Sequence, residues 1–530
     1  VKARYVKGAA IGLAAVICLL ASTLSIAGGA ALSQSRDKKA VQKLHNEAKK
    51  AIRSGHYEKA RKIYQEVLDE GDKDLQALLG ISLAWLKDQS FQNCYDRANE
   101  ALVIDPENAR AHALVGMALL RSGYVYNAIQ SLYRAFKSDP KEPMAYGAAA
   151  EIDYYEGRAR DARVKALQAY SLDPNEPDYL MTIARSASRL EMFAEAADAY
   201  EQFLVIAPKT DSERRDRIRG LIDFYRQLSG IEVHELGGPR FAEARFNLGS
   251  DRRPYLKIRL NGREAIFVID TGSGFTVISK EAAKRFGVSE IARGGKSQGV
   301  GGDGKFDIVY GLIKSLQIGE VRVRSVPCFI RPFHGTRERP NEERADGFIG
   351  LSVLAHFITE IDYKDSIMRL DRPPEQPPAA GVQSATARST TIQPEKTVVP
   401  FRTTQNGLIS IETEIDDTHR INAILDSGAS STVISQAAVE RLKMHDKIIK
   451  GQTVRVIGAA GISDNVELLF IKNCRVADLQ HKNMRALVLD FAAINETSGF
   501  EQSGILGGDF LRNFRVTIDF SRAQVSFRPY

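Results

Sequence analysis

Cysteine is scarce in this chain: only Cys18, Cys94, Cys328 and Cys474 occur among 530 residues, with no CxxC spacing. A zinc ribbon, a redox dithiol and a disulfide framework are therefore not expected. An HExxH sequence and any histidine-rich tract are missing too, so neither a metal nor another cofactor is expected. Charge of one sign is not in excess, since 73 basic and 66 acidic residues intermix to a net +7. Without a basic stripe, nucleic acid is not an expected partner. The cluster Arg214, Arg215, Arg217 and Arg219 reads as a solvated helix face. At 530 residues the chain is too long for a single core and should divide into three or four domains.

One apolar run is long. Lys2, Arg4 and Lys7 precede an uncharged stretch from Gly8 to Leu32. As a helix it extends about 37 Å, enough to span a bilayer. The basic flank predicts that everything beyond Leu32 is exported. Small residues from Ala27 to Ala31 equally suit signal-peptidase cleavage. Residues 1–36 are thus a signal anchor or a signal peptide, and the expected location is extracytoplasmic, as in a bacterial periplasm. The membrane is a partner if residues 8–32 stay attached.

Pro106, Pro140, Pro174 and Pro208 recur at intervals of 34 residues, the first three each preceded by Asp. In the same frame, Ala60, Cys94, Ala128, Ala162 and Ala196 share one position, and Gly55, Gly123 and Gly157 another. A small residue lets two helix axes approach, and proline ends a helix because it lacks an N–H. The pattern resembles the tetratricopeptide repeat (TPR). It predicts an α-solenoid over 37–230: repeats 41–74, 75–108, 109–142, 143–176 and 177–210, then a capping helix near 211–229. The resemblance implies a groove that binds a protein partner. Tyr124, Tyr126, Tyr133, Tyr154 and Tyr155 read as inter-helix core rather than groove.

Beyond Gly230 the period becomes that of short strands. Residues 255–269 read as a hairpin about an Asn261-Gly262 turn, leading into Asp270-Thr271-Gly272-Ser273. A second copy, Asp426-Ser427-Gly428-Ala429, follows 156 residues later. Downstream, Gly347-Phe348-Ile349-Gly350 corresponds to Gly504-Ile505-Leu506-Gly507, and Thr359-Glu360-Ile361-Asp362 to Val516-Thr517-Ile518-Asp519, both offset by 157. The region is an internal duplication, 241–371 and 398–530. The proline-rich stretch 372–397 reads as a flexible linker, and the charged insertion Arg331 to Ala345 as a mobile loop.

These copies resemble the pepsin and retropepsin superfamily of aspartic proteases, in their compactness retropepsin more than pepsin. The resemblance implies two all-β units forming a bilobed protease, with Asp270 and Asp426 as the catalytic pair. Thr271, Gly272, Ser273, Ser427 and Gly428 would support the active-site loops, the two hydroxyls cross-bonding them. Two close aspartates share one proton, so that one activates water while the other polarises a peptide carbonyl. Gly299, Gly301, Gly302 and Gly304 form G-x-G-x-x-G, but the strand-like residues after it argue against a dinucleotide site. They are expected instead in a flap over the cleft, as are Gly458 and Gly461 of copy two. Ser273, matched by Ala429, is expected to donate to Asp270 and make it the ionised partner. The function expected is an exported aspartic endopeptidase acting on proteins or peptides, with the repeats recruiting substrate or partner. The alternative is a non-catalytic adaptor whose protease-like region is degenerate.

Overall fold

The computed structural model describes residues 38–70, 73–299, 301–302, 304–333, 344–374 and 396–530. The expected signal segment, most of the charged insertion and most of the expected linker lie outside the described residues. Among the described residues no helix is long and apolar enough to cross a membrane.

The described part of the array pairs its helices into five hairpins: α1 (Lys38–Arg53) with α2 (Tyr57–Glu70), α3 (Leu75–Lys87) with α4 (Phe91–Ile104), α5 (Ala109–Arg121) with α6 (Val125–Ser138), α7 (Pro143–Tyr155) with α8 (Ala159–Leu172), and α9 (Pro177–Arg189) with α10 (Phe193–Ile206). The 34-residue positions explain themselves locally. Ala60, Cys94, Ala128, Ala162 and Ala196 are all fully buried where neighbouring helices meet. The turn within each hairpin needs a left-handed residue; Gly55, Gly123 and Gly157 supply it in three of them. Asp74 and Asn108 cap α3 and α5 through side-chain bonds to the amides of Ala77 and Ala111, at 2.8 and 3.0 Å. Pro143 and Pro177 open α7 and α9, where no N–H is needed.

The array curls until its ends approach. The Gly55 turn lies against Pro208 and Thr210. Lys87 of α3 bonds Asp178 of α9 at 2.7 Å and also pairs with Glu176. Burial acts to lower the Lys87 titration, but these two carboxylates outweigh it and hold the ammonium well above its usual range.

The final helix, α11 (Ser212–Leu228), is not the solvated cap expected from its charges. It packs on the strand Ser289–Gln298, with Gly220 against Gly294. Arg215 donates to the Leu204 carbonyl at 2.7 Å, Arg217 pairs with Glu496 of the second β unit, and Arg214 lies over the Phe203 ring. Of the four arginines, Arg219 alone is mainly in solvent, beside Asp216. Phe224 stacks on Tyr310 of the first β unit with centroids 4.3 Å apart, so one apolar core is shared by the array and that unit. A second junction joins Tyr155 to Phe500, and Arg121 to the Gly499 carbonyl at 2.8 Å. The tyrosines divide accordingly. Tyr154 and Tyr155 are buried, whereas Tyr124, Tyr126 and Tyr133 are exposed and are not inter-helix core. Their outer helix face has too few apolar neighbours to cover them.

Each β unit repeats one plan. Strands Pro254–Leu260 and Arg263–Ile269 pair about Asn261 and Gly262, both left-handed, as a two-residue hairpin needs. Strands Ile409–Ile415 and His419–Leu425 are the counterparts in copy two. One hydrophobic core runs through both units. They join where strand Ile358–Asp362 meets Phe514–Asp519 antiparallel: Thr359 faces Ile518, Glu360 faces Thr517 and Ile361 faces Val516. Equivalent residues are offset by 157, so Glu360 and Thr517 are each other's counterparts. A pseudo-two-fold axis passes between them, and one chain assembles what a symmetric dimer would.

Candidate active site

In each unit a buried apolar strand carries its aspartate to the axis. The strand ending at Ile269 pairs in parallel with Gly347–Ile349, and the strand ending at Leu425 with Gly504–Leu506. The amides of Asp270 and Asp426 donate to the carbonyls of Ile349 and Leu506, both at 3.0 Å. The amides of Leu351 and Gly508 close each loop on Ser273 and Ala429, both at 2.8 Å. The apolar-apolar-glycine segments therefore lock the loops that hold the carboxylates.

Thr271 and Ser427 bond across the axis. Thr271 Oγ1 donates to the Leu425 carbonyl at 2.8 Å and accepts from the Ser427 amide at 2.9 Å. Ser427 Oγ donates to the Ile269 carbonyl at 2.8 Å and accepts from the Thr271 amide at 3.1 Å. All four bonds are buried, and together they fix the distance between the loops. Glycine is required on both sides. A Cβ on Gly272 would stand 2.2 Å from the Asp426 carboxyl, and one on Gly428 would stand 2.4 Å from Asp270 Oδ1.

Asp270 and Asp426 are therefore half-buried and side by side. Burial, then the charge of Asp426 and the hydrogen bond between the two carboxyls, raise Asp270 well above the ordinary carboxylate range. Burial raises Asp426 as well, but the Gly428 and Ala429 amides oppose it, donating to Oδ1 at 2.7 and 3.0 Å. Among the described residues the Asp270 side chain accepts one backbone amide, that of Gly272 at 3.0 Å. The two settings are unequal: Asp426 Oδ1 accepts two amides and Asp270 Oδ1 one, which favours the charge on Asp426.

This removes the ground for the assignment drawn from Ser273. Its hydroxyl donates to the Phe275 carbonyl at 2.7 Å rather than to Asp270. The deciding donor is a backbone amide, that of Ala429, whose counterpart on Ser273 turns to the Asp270 backbone carbonyl at 3.4 Å.

The glycine-rich stretches form the tips of two β-hairpins that meet each other and line the same cavity as the dyad. In the first unit the tip joins strand Ser289–Gln298 to strand Lys305–Ile318; a strand follows it, as expected, and not the helix of a nucleotide site. The Gly304 amide donates to the Ala460 carbonyl at 3.1 Å, Gly302 packs beside Gly461, and Gly299 and Gly301 lie against Ala459 and Gly458. That cavity has a volume of about 2140 Å³. One wall is the two β units; the other is the inner face of the array, through Lys87, Arg121, Glu151, Tyr154 and Arg185. Two arginines flank the dyad. Arg253 is held by Asp251 and Tyr255 at 2.7 and 3.0 Å, and Arg331 reaches the Ala459 carbonyl at 2.9 Å. Neither belongs to a motif, and only folding brings them to the aspartates.

The aspartyl protease family model matches the chain twice, over residues 256–353 and 411–510. A probable UDP-N-acetylglucosamine–peptide N-acetylglucosaminyltransferase SPINDLY of Solanum lycopersicum is 29% identical over 89 residues, 17% of this chain. The match spans only 9% of that curated relative's length. Among solved structures, a thermophilic TPR protein of Thermus thermophilus covers 34% of this chain and 98% of its own at 20% identity and a TM-score of 0.29. Pseudomonas aeruginosa pilF covers 36% and 91% at 16% identity and a TM-score of 0.27.

Proposed function

We propose that this chain, a tetratricopeptide-repeat array joined to a duplicated aspartic-protease region, is an endopeptidase that cleaves extended segments of protein substrates. The observation that carries the reading is the pair of facing aspartates on loops locked by the reciprocal Thr271 and Ser427 bonds.

In this reading a water molecule sits between the carboxyls. Asp426, ionised, takes its proton while Asp270 donates to the scissile carbonyl oxygen, giving a tetrahedral diol. Asp426 then returns its proton to the leaving nitrogen as the C–N bond breaks. Asp270 recovers its own proton from the collapsing diol, so the pair ends as it began. The flap tips would hold the substrate backbone as a strand, and the array wall would orient the remainder. The basic-then-apolar leader supports export, either anchored or released; recovery of the full chain in cytosol on fractionation would contradict that part.

The test is incubation of the purified chain with an unstructured protein from acid to neutral pH, with and without a statine-type transition-state mimic. Inhibitor-sensitive cleavage is expected. Its absence at every pH would overturn the reading.

A further inference from the structure

Away from the dyad, three side chains from separate parts of the chain converge. Glu191 sits in the turn between α9 and α10, His234 in the segment linking the array to the first β unit, and His356 just after the helix Leu351–Leu354. One ligand atom from each lies within 4.8 Å of the other two. The imidazole centroids are 4.5 Å apart, and His234 Nδ1 is 3.5 Å from Glu191 Oε1.

Both nitrogens of His234 are buried without a hydrogen-bond partner. Buried polar atoms of this kind call for a bound species. His234 also holds a left-handed backbone, at φ 53°, which is uncommon outside glycine and marks positions fixed by their surroundings.

We propose that Glu191, His234 and His356 bind a divalent transition-metal ion of the zinc class, clamping the fifth repeat to the first β unit. Two imidazoles with one carboxylate favour such an ion over calcium or magnesium. Metal–ligand bonds of about 2.0–2.1 Å put tetrahedral neighbours about 3.3 Å apart. The His234–Glu191 separation is already near this, and small side-chain rotations bring in His356. All three residues line the cavity wall, leaving the fourth position to water. The clamp has a route to the catalytic loop. Ser352, on the helix preceding His356, donates its amide to the Gly274 carbonyl at 2.9 Å, and its hydroxyl accepts from the Thr276 amide at 3.1 Å.

The experiment uses the full chain without a histidine tag, stripped with chelator and titrated with Zn²⁺ by calorimetry and with Co²⁺ by visible absorbance. An Asp270→Asn background keeps the dyad from contributing. One ion per chain is expected, with the strong visible band of four-coordinate cobalt and a zinc-dependent rise in melting temperature. His234→Ala/His356→Ala should abolish all three signals. Glu191→Gln, at a half-exposed side chain that folding tolerates, should weaken binding by about tenfold or more. No binding by the parent chain overturns the proposal, and so does unchanged cobalt affinity in Glu191→Gln. No readout involves peptide cleavage, so the outcome is independent of the proposed activity.

Discussion

Thr271→Val exchanges one hydroxyl for a methyl group at nearly constant volume, at a residue 1% exposed. The change strands two buried groups, the Leu425 carbonyl and the Ser427 amide, which now have Thr271 Oγ1 at 2.8 and 2.9 Å. A buried polar group left without its partner costs about 1–3 kcal/mol, so the pair costs about 2–6 kcal/mol. Loosening of the loops will bring the result toward the lower end. It will also separate the carboxyls, so hydrolysis should fall more steeply than stability. Guanidinium unfolding followed by far-ultraviolet dichroism reads the stability. The emission of Trp85, the sole tryptophan, reports the array independently. Because array and first unit share a core, both probes should shift together. Thr271→Ser, which restores the hydroxyl, should recover most of both losses. A loss below about 1 kcal/mol with undiminished cleavage would refute the argument that these bonds set the dyad.

Two further outcomes follow from the dyad. Both carboxyls titrate above their ordinary range in the folded chain. Their contribution to stability is therefore whole below the unfolded value of about 3.9 and is lost as pH rises through the folded titration. Asp270→Asn removes an ionisation the fold resists: it should abolish hydrolysis yet raise the melting temperature at neutral pH, and a lowered one would contradict the burial argument. Ser273→Ala should leave the acidic limb of the pH–rate profile in place, because its hydroxyl serves Phe275; a shift of that limb to higher pH would restore the serine to the dyad.

The repeats and the β duplication were legible because each is periodic in sequence. The helix pairs start at Leu75, Ala109, Pro143 and Pro177 because the small and proline positions act within a single hairpin. The Asn261-Gly262 turn was legible for the same reason, its geometry being local. What could not be read depends on contacts between distant residues. The inequality of the two carboxyls rests on where one amide points, and a side-chain comparison of Ser273 with Ala429 misses it. The arginines of α11 look solvated because Leu204 and Glu496, which receive them, lie elsewhere in the chain. Histidines at 234 and 356 carry no motif, since 122 residues separate them.

The unequal amide donors at the two loops have one more consequence. In a symmetric dimer the two carboxyls are interchangeable until a peptide arrives, and the substrate itself chooses their roles. Here the second loop gives Asp426 two amides and the first gives Asp270 one, so the choice is built into the covalent chain. A peptide has a direction, and the two ways of laying it across an unequal pair are no longer equivalent. In the proposed endopeptidase one orientation would aim the scissile carbonyl at Asp270 and the other at Asp426, whose two amide donors favour its charge. In the endopeptidase proposed above, the array, which walls one side of the cavity, would meet the same orientation each time and read the substrate from a fixed end.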